Sequence, residues 1–149
     1  FYKSPKNIKK IVKLLGSQSV GICLPYINNF DGKRYVWNYL NRTMTNIRLF
    51  EAINNSDDLG IGEIMLFNIN LDGSLKGMDR GIASEIEISN TNLPIIIAGG
   101  LKNELNAYEI LREKNINAIV VGSAFSLTQT TPLTIRNFCL SKGINMRII

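Results

Sequence analysis

The sequence predicts an α/β fold in which one helix is followed by four strand–helix repeats. Two of the predicted strands, residues 94–98 and 118–121, are apolar throughout, which is typical of parallel strands buried on both faces. With 149 residues and 45% hydrophobic content, the chain is long enough to bury one substantial core. We therefore expect residues 1–149 to form a single domain.

The first helix and strand are marked by Ser, Pro and Gly residues. Ser4 and Pro5 match the N-cap and first position of a helix, and Gly16 matches its end. One apolar stripe of this helix comprises Ile8, Ile11, Val12 and Leu15. The apolar run at residues 20–24 then predicts a strand that ends at Pro25.

A hairpin is predicted next, because Asp31-Gly32 is a turn signal between the short extended pieces 26–30 and 34–39. Its aromatic residues are Tyr26, Phe30, Tyr35, Trp37 and Tyr39. They would either line the mouth of a pocket or pack the hairpin against its neighbours, and the sequence leaves both interpretations open.

The rest of the chain alternates between helices and strands. Helices are predicted over residues 47–58, 80–89, 103–114 and 132–142. Strands are predicted over residues 63–68, 94–98 and 118–121. In the helix at 103–114 the residues expected to face inward are Leu105, Tyr108, Ile110 and Leu111. Thr131-Pro132 predicts the start of the last helix, and Gly143 its end.

Two neighbouring strands end in small residues that lead into helices. Gly99-Gly100 follows the strand at 94–98, and Gly122-Ser123 follows the strand at 118–121. Small residues let backbone N–H groups approach a ligand closely, so the pair predicts a phosphate cradle. The repeats fit either an open doubly wound sheet or half of a (βα)8 barrel. The cradle favours the barrel, because barrels bind phosphate after their last two strands.

Asp72 lies just past the strand at 63–68, in the segment Asp72-Gly73-Ser74. A carboxylate at the carboxyl end of a barrel strand is well placed for acid–base catalysis. Asp-Gly is also a common turn dipeptide, and the residues alone do not separate the two interpretations.

Charge and composition limit the partners and cofactors. The net charge is +5, and the one dense basic cluster comprises Lys3, Lys6, Lys9, Lys10 and Lys13. We interpret it as a solvated helix face and expect neither nucleic acid nor a membrane as a partner. Histidine is absent, and Cys23 and Cys139 predict free thiols of a reducing cytoplasm. No metal and no cofactor are expected.

Four collinear segments resemble the cyclase subunit of imidazole glycerol phosphate synthase. GEIMLFNINLDGSLKGMD (62–79) resembles its strand-six segment, and GSQSVGICL (16–24) its strand five. NLPIIIAGG (92–100) and AIVVGSAF (118–125) resemble its two phosphate loops. The resemblance implies the C-terminal half of a (βα)8 barrel, with the hairpin as an insertion after its first strand.

The family implies a lyase-type cyclase that takes ammonia from a partner glutamine amidotransferase. The ammonia is added to a substrate with a phosphate at each end, which is split and cyclised in histidine biosynthesis. By this resemblance Asp72 matches a catalytic aspartate. The matching residues for one phosphate are Gly73, Gly99, Gly100, Gly122 and Ser123.

The chain departs from the family where strand five carries a catalytic aspartate, because Pro25 stands there. Phe67 and Asn68 stand where the family usually has small hydroxyl residues, and Ala98 replaces a common serine. Two alternatives follow. One is a related barrel that amidinates a sugar in surface-polysaccharide synthesis, and the other is a degenerate barrel that only binds phosphate and a partner.

Half a barrel leaves strand edges and an apolar inner face uncovered. We therefore expect the chain to need its N-terminal half, a second copy or a related half-barrel. The chain begins with Phe1 rather than Met, so we expect that a segment was removed or that a longer polypeptide exists.

Overall fold

A computed structural model describes residues 4–147 of the chain. The helices are α1 (Pro5–Leu15), α2 (Leu49–Asp57), α3 (Ile82–Ser89), α4 (Glu104–Leu111), α5 (Ser123–Leu127) and α6 (Pro132–Ser141). The strands are β1 (Gly21–Asn28), β2 (Arg34–Asn38), β3 (Thr43–Arg48), β4 (Glu63–Asn68), β5 (Ile95–Ala98) and β6 (Ala118–Val120). A 3₁₀ turn (Ser17–Ser19) joins α1 to β1.

The six strands form one sheet in the order β3-β2-β1-β4-β5-β6. Strands β1, β4, β5 and β6 pair in parallel, whereas β2 and β3 add an antiparallel extension at the β1 side. A doubly wound sheet reverses its strand order at a switch point, and this parallel order contains no reversal. The predicted repeats are therefore confirmed as half of a (βα)8 barrel, and the open doubly wound alternative is wrong.

The two faces of the parallel strands differ in burial. On the face toward the helices, Ile119 of β6 is half-buried. The other apolar side chains of this face are buried: Ile22, Leu24, Tyr26, Ile64, Leu66, Ile95 and Ile97. On the inner face Ala98 is buried, but Cys23 is exposed, Met65 and Ile96 are half-buried, and Val120 is 47% exposed. Right-handed crossovers place successive helices on one side of the sheet. The prediction that these strands are buried on both faces is therefore wrong for this half of the barrel.

The predicted strand end at Pro25 is wrong, because β1 continues to Asn28. The backbone carbonyl of Tyr26 accepts the N–H of Ile69 at 2.9 Å, so the backbone polar groups of Tyr26 point toward β4. The backbone of the preceding residue, Pro25, points toward the opposite edge of the strand. Pairing with β2 begins only at Tyr26, beyond Pro25. The missing N–H of proline therefore leaves no gap in the ladder. Residues 26–28 continue β1 and are not a separate piece of the hairpin.

Strand β3 was not predicted, and α2 begins at Leu49 rather than at residue 47. Met44 of β3 pairs with Trp37 of β2, so pairing with the preceding strand holds this segment extended. Arg48 keeps an extended backbone at the N-cap of α2, and its N–H donates to Glu51 Oε2 at 3.2 Å.

The predicted order of the helices is confirmed, but not every residue that was predicted to face inward is buried. The last helix starts as predicted, with Thr131 Oγ1 accepting the N–H of Thr134 at 3.1 Å. Leu105, predicted to face inward, is 51% exposed, and the buried residues of α4 are Asn106, Ala107 and Ile110. Cys23 and Cys139 are free thiols, as predicted. None of the helices in the described part of the chain is long and apolar enough to cross a membrane.

Candidate functional site

The carboxyl ends of β4, β5 and β6 surround a cleft of about 160 Å³. All six residues predicted as site residues line it: Asp72, Gly73, Gly99, Gly100, Gly122 and Ser123. The two small-residue bends therefore lie at one rim of the sheet and face each other across one opening.

The Gly99–Gly100 bend is required by its packing. The two residues have φ values of 98° and 88°, which L side chains rarely adopt. A Cβ on Gly99 would lie 2.7 Å from the carbonyl oxygen of Asn68, and a Cβ on Gly100 would lie 2.7 Å from that of Gly77. The backbone of this bend therefore sits directly against the loop that carries Asp72.

The Gly122–Ser123 bend is open. A Cβ on Gly122 would have no neighbour within 4 Å. Ser123 begins α5, and its Oγ lies 3.8 Å from the position that a Cβ on Gly73 would take. The Ser123 hydroxyl therefore faces the Asp72–Gly73 turn across the cleft.

Three backbone N–H groups at the rim donate none of the turn and loop hydrogen bonds found within the described residues. Among the turn and loop hydrogen bonds of residues 4–147, none is donated by the amide N–H of Gly99, Gly100 or Ser123. Unpaired N–H groups that converge on a concave surface are a common anion-binding arrangement. The geometry can therefore supply donors to a phosphate without a cationic side chain.

The loop that carries Asp72 is shaped by the buried side chain of Asn68. Asn68 Oδ1 accepts the N–H of Leu71 at 3.2 Å, and its backbone carbonyl accepts the N–H of Asp72 at 3.1 Å. This turn leaves the Asp72 side chain exposed at the cleft. Both interpretations of Asp72 are therefore compatible, because it lies in a turn and also in the cleft.

Asn106 joins the two loops on the β4 and β5 side, and the sequence did not single it out. The N–H of Met78 donates to the buried Asn106 Oδ1 at 2.8 Å. The N–H of Gly77 donates to the carbonyl of Gly100 at 2.8 Å. An asparagine shortly after a Gly-Gly bend was the available signal, but its partner lies 28 positions earlier in the chain.

A buried ion pair anchors the far end of the Asp72 loop. Arg34 of β2 donates to both carboxylate oxygens of Asp79, at 2.7 and 2.8 Å. Tyr26 donates its hydroxyl to Asp79 Oδ2 at 3.3 Å, and Asn68 Nδ2 lies 3.4 Å from the same oxygen. The hairpin, β1 and the Asp72 loop therefore meet at one carboxylate.

The pKa values in this cluster follow from burial and charge. Burial favours the neutral form of Asp79, but the hydrogen bonds and charge of Arg34 outweigh it and lower the pKa of Asp79. Burial raises the pKa of Tyr26 well above its ordinary value, and the charge of Asp79 adds to the increase. Asp79 is therefore an ionised structural anchor, and Tyr26 is a neutral donor to it.

The hairpin aromatics divide between the two open interpretations. Tyr26 is fully buried, and Tyr35 lies under the Arg48 guanidinium, so both pack the hairpin. Trp37 and Tyr39 line a separate groove beside Pro25. Phe30 is fully exposed at the turn, so it neither packs the hairpin nor lines this groove.

The hairpin brings no acid to the position of Pro25 in β1. Asp31 is the nearest acidic residue in the sequence, and its Oδ1 accepts the N–H of Lys33 at 2.9 Å within the turn. Its other carboxylate oxygen accepts the Tyr35 hydroxyl at 3.1 Å. Within the described ranges, Asp72 is thus the one carboxylate that lines the cleft.

Comparison with known proteins agrees with the fold. The family described as "Histidine biosynthesis protein" matches residues 1–131. Imidazole glycerol phosphate synthase subunit HisF of Chloroherpeton thalassium is 30% identical, over 98% of this chain and 57% of the relative. The HisF subunit of Clostridium botulinum strain 657 is 28% identical, over 98% of this chain and 58% of the relative. That of Staphylococcus carnosus is 24% identical, over 97% and 57%.

The chain therefore spans a little over half the length of these relatives. The family match covers most of the chain, and the strand order is that of half a (βα)8 barrel, the fold that this family adopts. On both grounds, the chain belongs to the histidine biosynthesis protein family.

Proposed function

We propose that the chain is the C-terminal half of a cyclase-type subunit that adds ammonia to a phosphorylated substrate. The relatives' name, imidazole glycerol phosphate synthase subunit HisF, supports this class of reaction. The observation that carries the proposal is the meeting of the Gly99–Gly100 and Gly122–Ser123 bends at one cleft, beside the Asp72 carboxylate.

The cleft binds one phosphate of the substrate through backbone donors. The proposed donors are the N–H groups of Gly73, Gly99, Gly100, Gly122 and Ser123, together with the Ser123 hydroxyl. Because Gly99 and Gly100 carry no Cβ, a phosphate oxygen can approach their amides closely. Proton transfer is assigned to Asp72, whose exposed carboxylate lies at the same cleft.

The proposed partners follow from the family and from the open inner face. A glutamine amidotransferase supplies ammonia, which reaches the cleft along the barrel interior. The inner-face residues Cys23, Met65, Ile96 and Val120 need a cover, since exposed apolar surface and free strand edges favour association. The N-terminal half of the barrel or a second half-barrel provides that cover.

A second candidate, a barrel that binds phosphate without turnover, is favoured by Pro25. Its side chain cannot transfer a proton, and Asp31 is held in the hairpin turn. The two candidates make the same prediction for phosphate binding and opposite predictions for product formation with ammonia.

Phosphate binding is tested with Ser123→Asp. A carboxylate about 4 Å from the phosphate costs about 4 kcal/mol at an effective dielectric constant near 20, so affinity falls at least about a hundredfold. Ser123→Asn is the matched control of similar size without the charge, and it retains most of the affinity. Titration calorimetry with inorganic phosphate measures both variants. Equal affinities for the Asp and Asn variants would remove Ser123 from the site.

Catalysis is tested with Asp72→Asn in the full natural chain and its partner. Loss of an acid–base group lowers the turnover rate by about 10²- to 10⁴-fold, with phosphate affinity largely retained. Asp31→Asn is the control, because Asp31 lies outside the cleft. The measurement is product formation with ammonia. An unchanged rate would exclude Asp72 from the mechanism, and binding without any product in the unmodified protein would favour the binding-only candidate.

A further inference from the structure

Tyr39, at the turn between β2 and β3, carries a hydroxyl that the fold does not use. The hydroxyls of Tyr26 and Tyr35 each donate to a carboxylate oxygen. Among the side-chain hydrogen bonds found within residues 4–147, none involves the Tyr39 hydroxyl, and the residue is 55% exposed. Because a tyrosine hydroxyl can donate and accept hydrogen bonds, this one is available to a ligand.

The turn that carries Tyr39 is held in place by the hairpin. Asn38 Oδ1 accepts the N–H of Leu40 at 2.9 Å, which fixes the backbone on both sides of Tyr39. At the base of the hairpin, the ion pair of Arg34 ties β2 to the far end of the Asp72 loop. The Tyr39 side chain is therefore carried on a braced element and not on a free loop.

Tyr39 lies in the groove that adjoins the proposed phosphate cleft. Cys23 and Pro25 line this groove together with Tyr39. The strand register places Pro25 directly beside Phe67, and Phe67 lines the cleft together with Asp72. The groove and the cleft therefore meet where β1 lies against β4.

The electrostatics of Tyr39 agree with this placement. Burial raises the pKa of Tyr39, and the nearby Cys23 and Asp72 raise it further. Tyr39 is therefore a neutral O–H group at neutral pH, whereas an ionised aspartate only accepts hydrogen bonds. Between the two, the side chains of Pro25 and Phe67 neither donate nor accept. The surface thus has an acceptor at one end, a donor at the other and an apolar wall between them.

We propose that Tyr39 is a substrate-binding residue that donates its hydroxyl hydrogen to an oxygen of the chain attached to the phosphate. A phosphate at the Gly99–Gly100 bend leaves two strand spacings, roughly 10 Å, to β1. An open hydroxylated chain fits this span, because its hydroxyls can donate to Asp72 and its far oxygens can accept from Tyr39. The inference rests on the phosphate site of the proposed function and adds the chemical class of the attached chain.

The test is titration calorimetry of the full natural chain with two probes, inorganic phosphate and the open-chain sugar phosphate ribulose 5-phosphate. In Tyr39→Phe, which removes only the hydroxyl, we expect the affinity for ribulose 5-phosphate to fall about three- to tenfold. The affinity for inorganic phosphate stays the same, because this probe does not reach Tyr39. Tyr35→Phe is the matched control. It removes a hydroxyl of the same hairpin that is bonded to Asp31, and it should leave both affinities unchanged.

The possible failures are distinguishable. Equal affinity for ribulose 5-phosphate in Tyr39→Phe and in the unmodified protein would overturn the role of Tyr39 and leave the phosphate site standing. An equal loss of affinity for both probes in Tyr39→Phe would overturn the assignment of the hydroxyl to the chain, because it would then bind the phosphate. A failure of the unmodified protein to bind inorganic phosphate would overturn the phosphate site of the proposed function, and this inference with it.

Discussion

The two bends of the cleft differ in what makes their glycines necessary. At Gly99 and Gly100 both φ values are positive, and a Cβ would meet a backbone oxygen at 2.7 Å in each case. At Gly122 φ is −120°, and a Cβ would meet nothing within 4 Å. The packing of the fold thus requires glycine at the first bend. At Gly122 it does not, and the space beside this residue is open to the cleft.

The difference shows that similar sequence patterns can have different physical reasons. Gly99 and Gly100 allow the backbone to touch the Asp72 loop, and the bend is joined to that loop by the Gly77–Gly100 hydrogen bond. Gly122 makes no such contact, so its small size serves access to the cleft. Mutations at the two bends should therefore separate stability from ligand binding.

The largest effect is expected for Gly100→Ala. Its Cβ would lie 2.7 Å from the Gly77 oxygen and 2.8 Å from Leu71 Cβ, at a positive φ. Overpacking and backbone strain together lower the free energy of unfolding by about 2–6 kcal/mol. Urea denaturation monitored by circular dichroism measures the change. A loss below about 1 kcal/mol would mean that the Asp72 loop can shift to accommodate the methyl group, and that packing does not require glycine at this position.

An intermediate effect is expected for Asp79→Asn, which loosens the Asp72 loop on the same side of the cleft. The amide keeps part of the hydrogen bonding, and Glu85 remains 3.8 Å from Arg34, so we expect a loss of about 1–3 kcal/mol. The Gly122 bend has no contact with this ion pair and should keep its structure.

The ion pair also sets a pH dependence. Because the pKa of Asp79 is lowered in the folded protein, its stabilisation is present above the pKa of an unfolded aspartate. It is lost as the pH falls from about 4 through the lower, folded value. Denaturation between pH 7 and pH 2 should show a shallower acid limb in Asp79→Asn. If stability fell equally steeply at low pH in Asp79→Asn and in the unmodified protein, the acid sensitivity would come from other carboxyl groups.

The smallest effect on stability is expected for Gly122→Ala. With no atom within 4 Å of the new Cβ, the free energy of unfolding should change by less than about 1 kcal/mol. The methyl group stands at the cleft and should weaken phosphate binding, which titration calorimetry detects. A stability loss equal to that of Gly100→Ala would remove the distinction between the two bends.

The order of elements and the site rim could be predicted because their signals are local. The strand Glu63–Asn68 and the Thr131 cap depend on side chains within a few positions of one another. The two small-residue bends follow apolar runs of the kind that form parallel strands. The common rim then follows, because parallel strands all end at the same edge of a sheet.

The missed features depend on partners in other elements of the fold. Pro25 fits inside β1 because its nitrogen, which has no hydrogen, points to the edge away from β4. Pairing with β2 on that edge begins only at Tyr26. Strand β3 is extended because it pairs with β2, and Leu105 is exposed because α4 turns Asn106 toward the Asp72 loop. None of these partners can be identified from local propensity.

By itself, the sequence determined the alternation of strands and helices and the two small-residue bends, since both follow from local apolar periodicity and glycine placement. Only the tertiary structure decided that Asp79 and Asn106 hold the Asp72 loop, and that Pro25, Phe67, Ala98 and Val120 lie in one row below the rim. The physical reason is that hydrogen bonds and strand register join residues 11 to 45 positions apart, and these pairings exist only after the sheet has assembled.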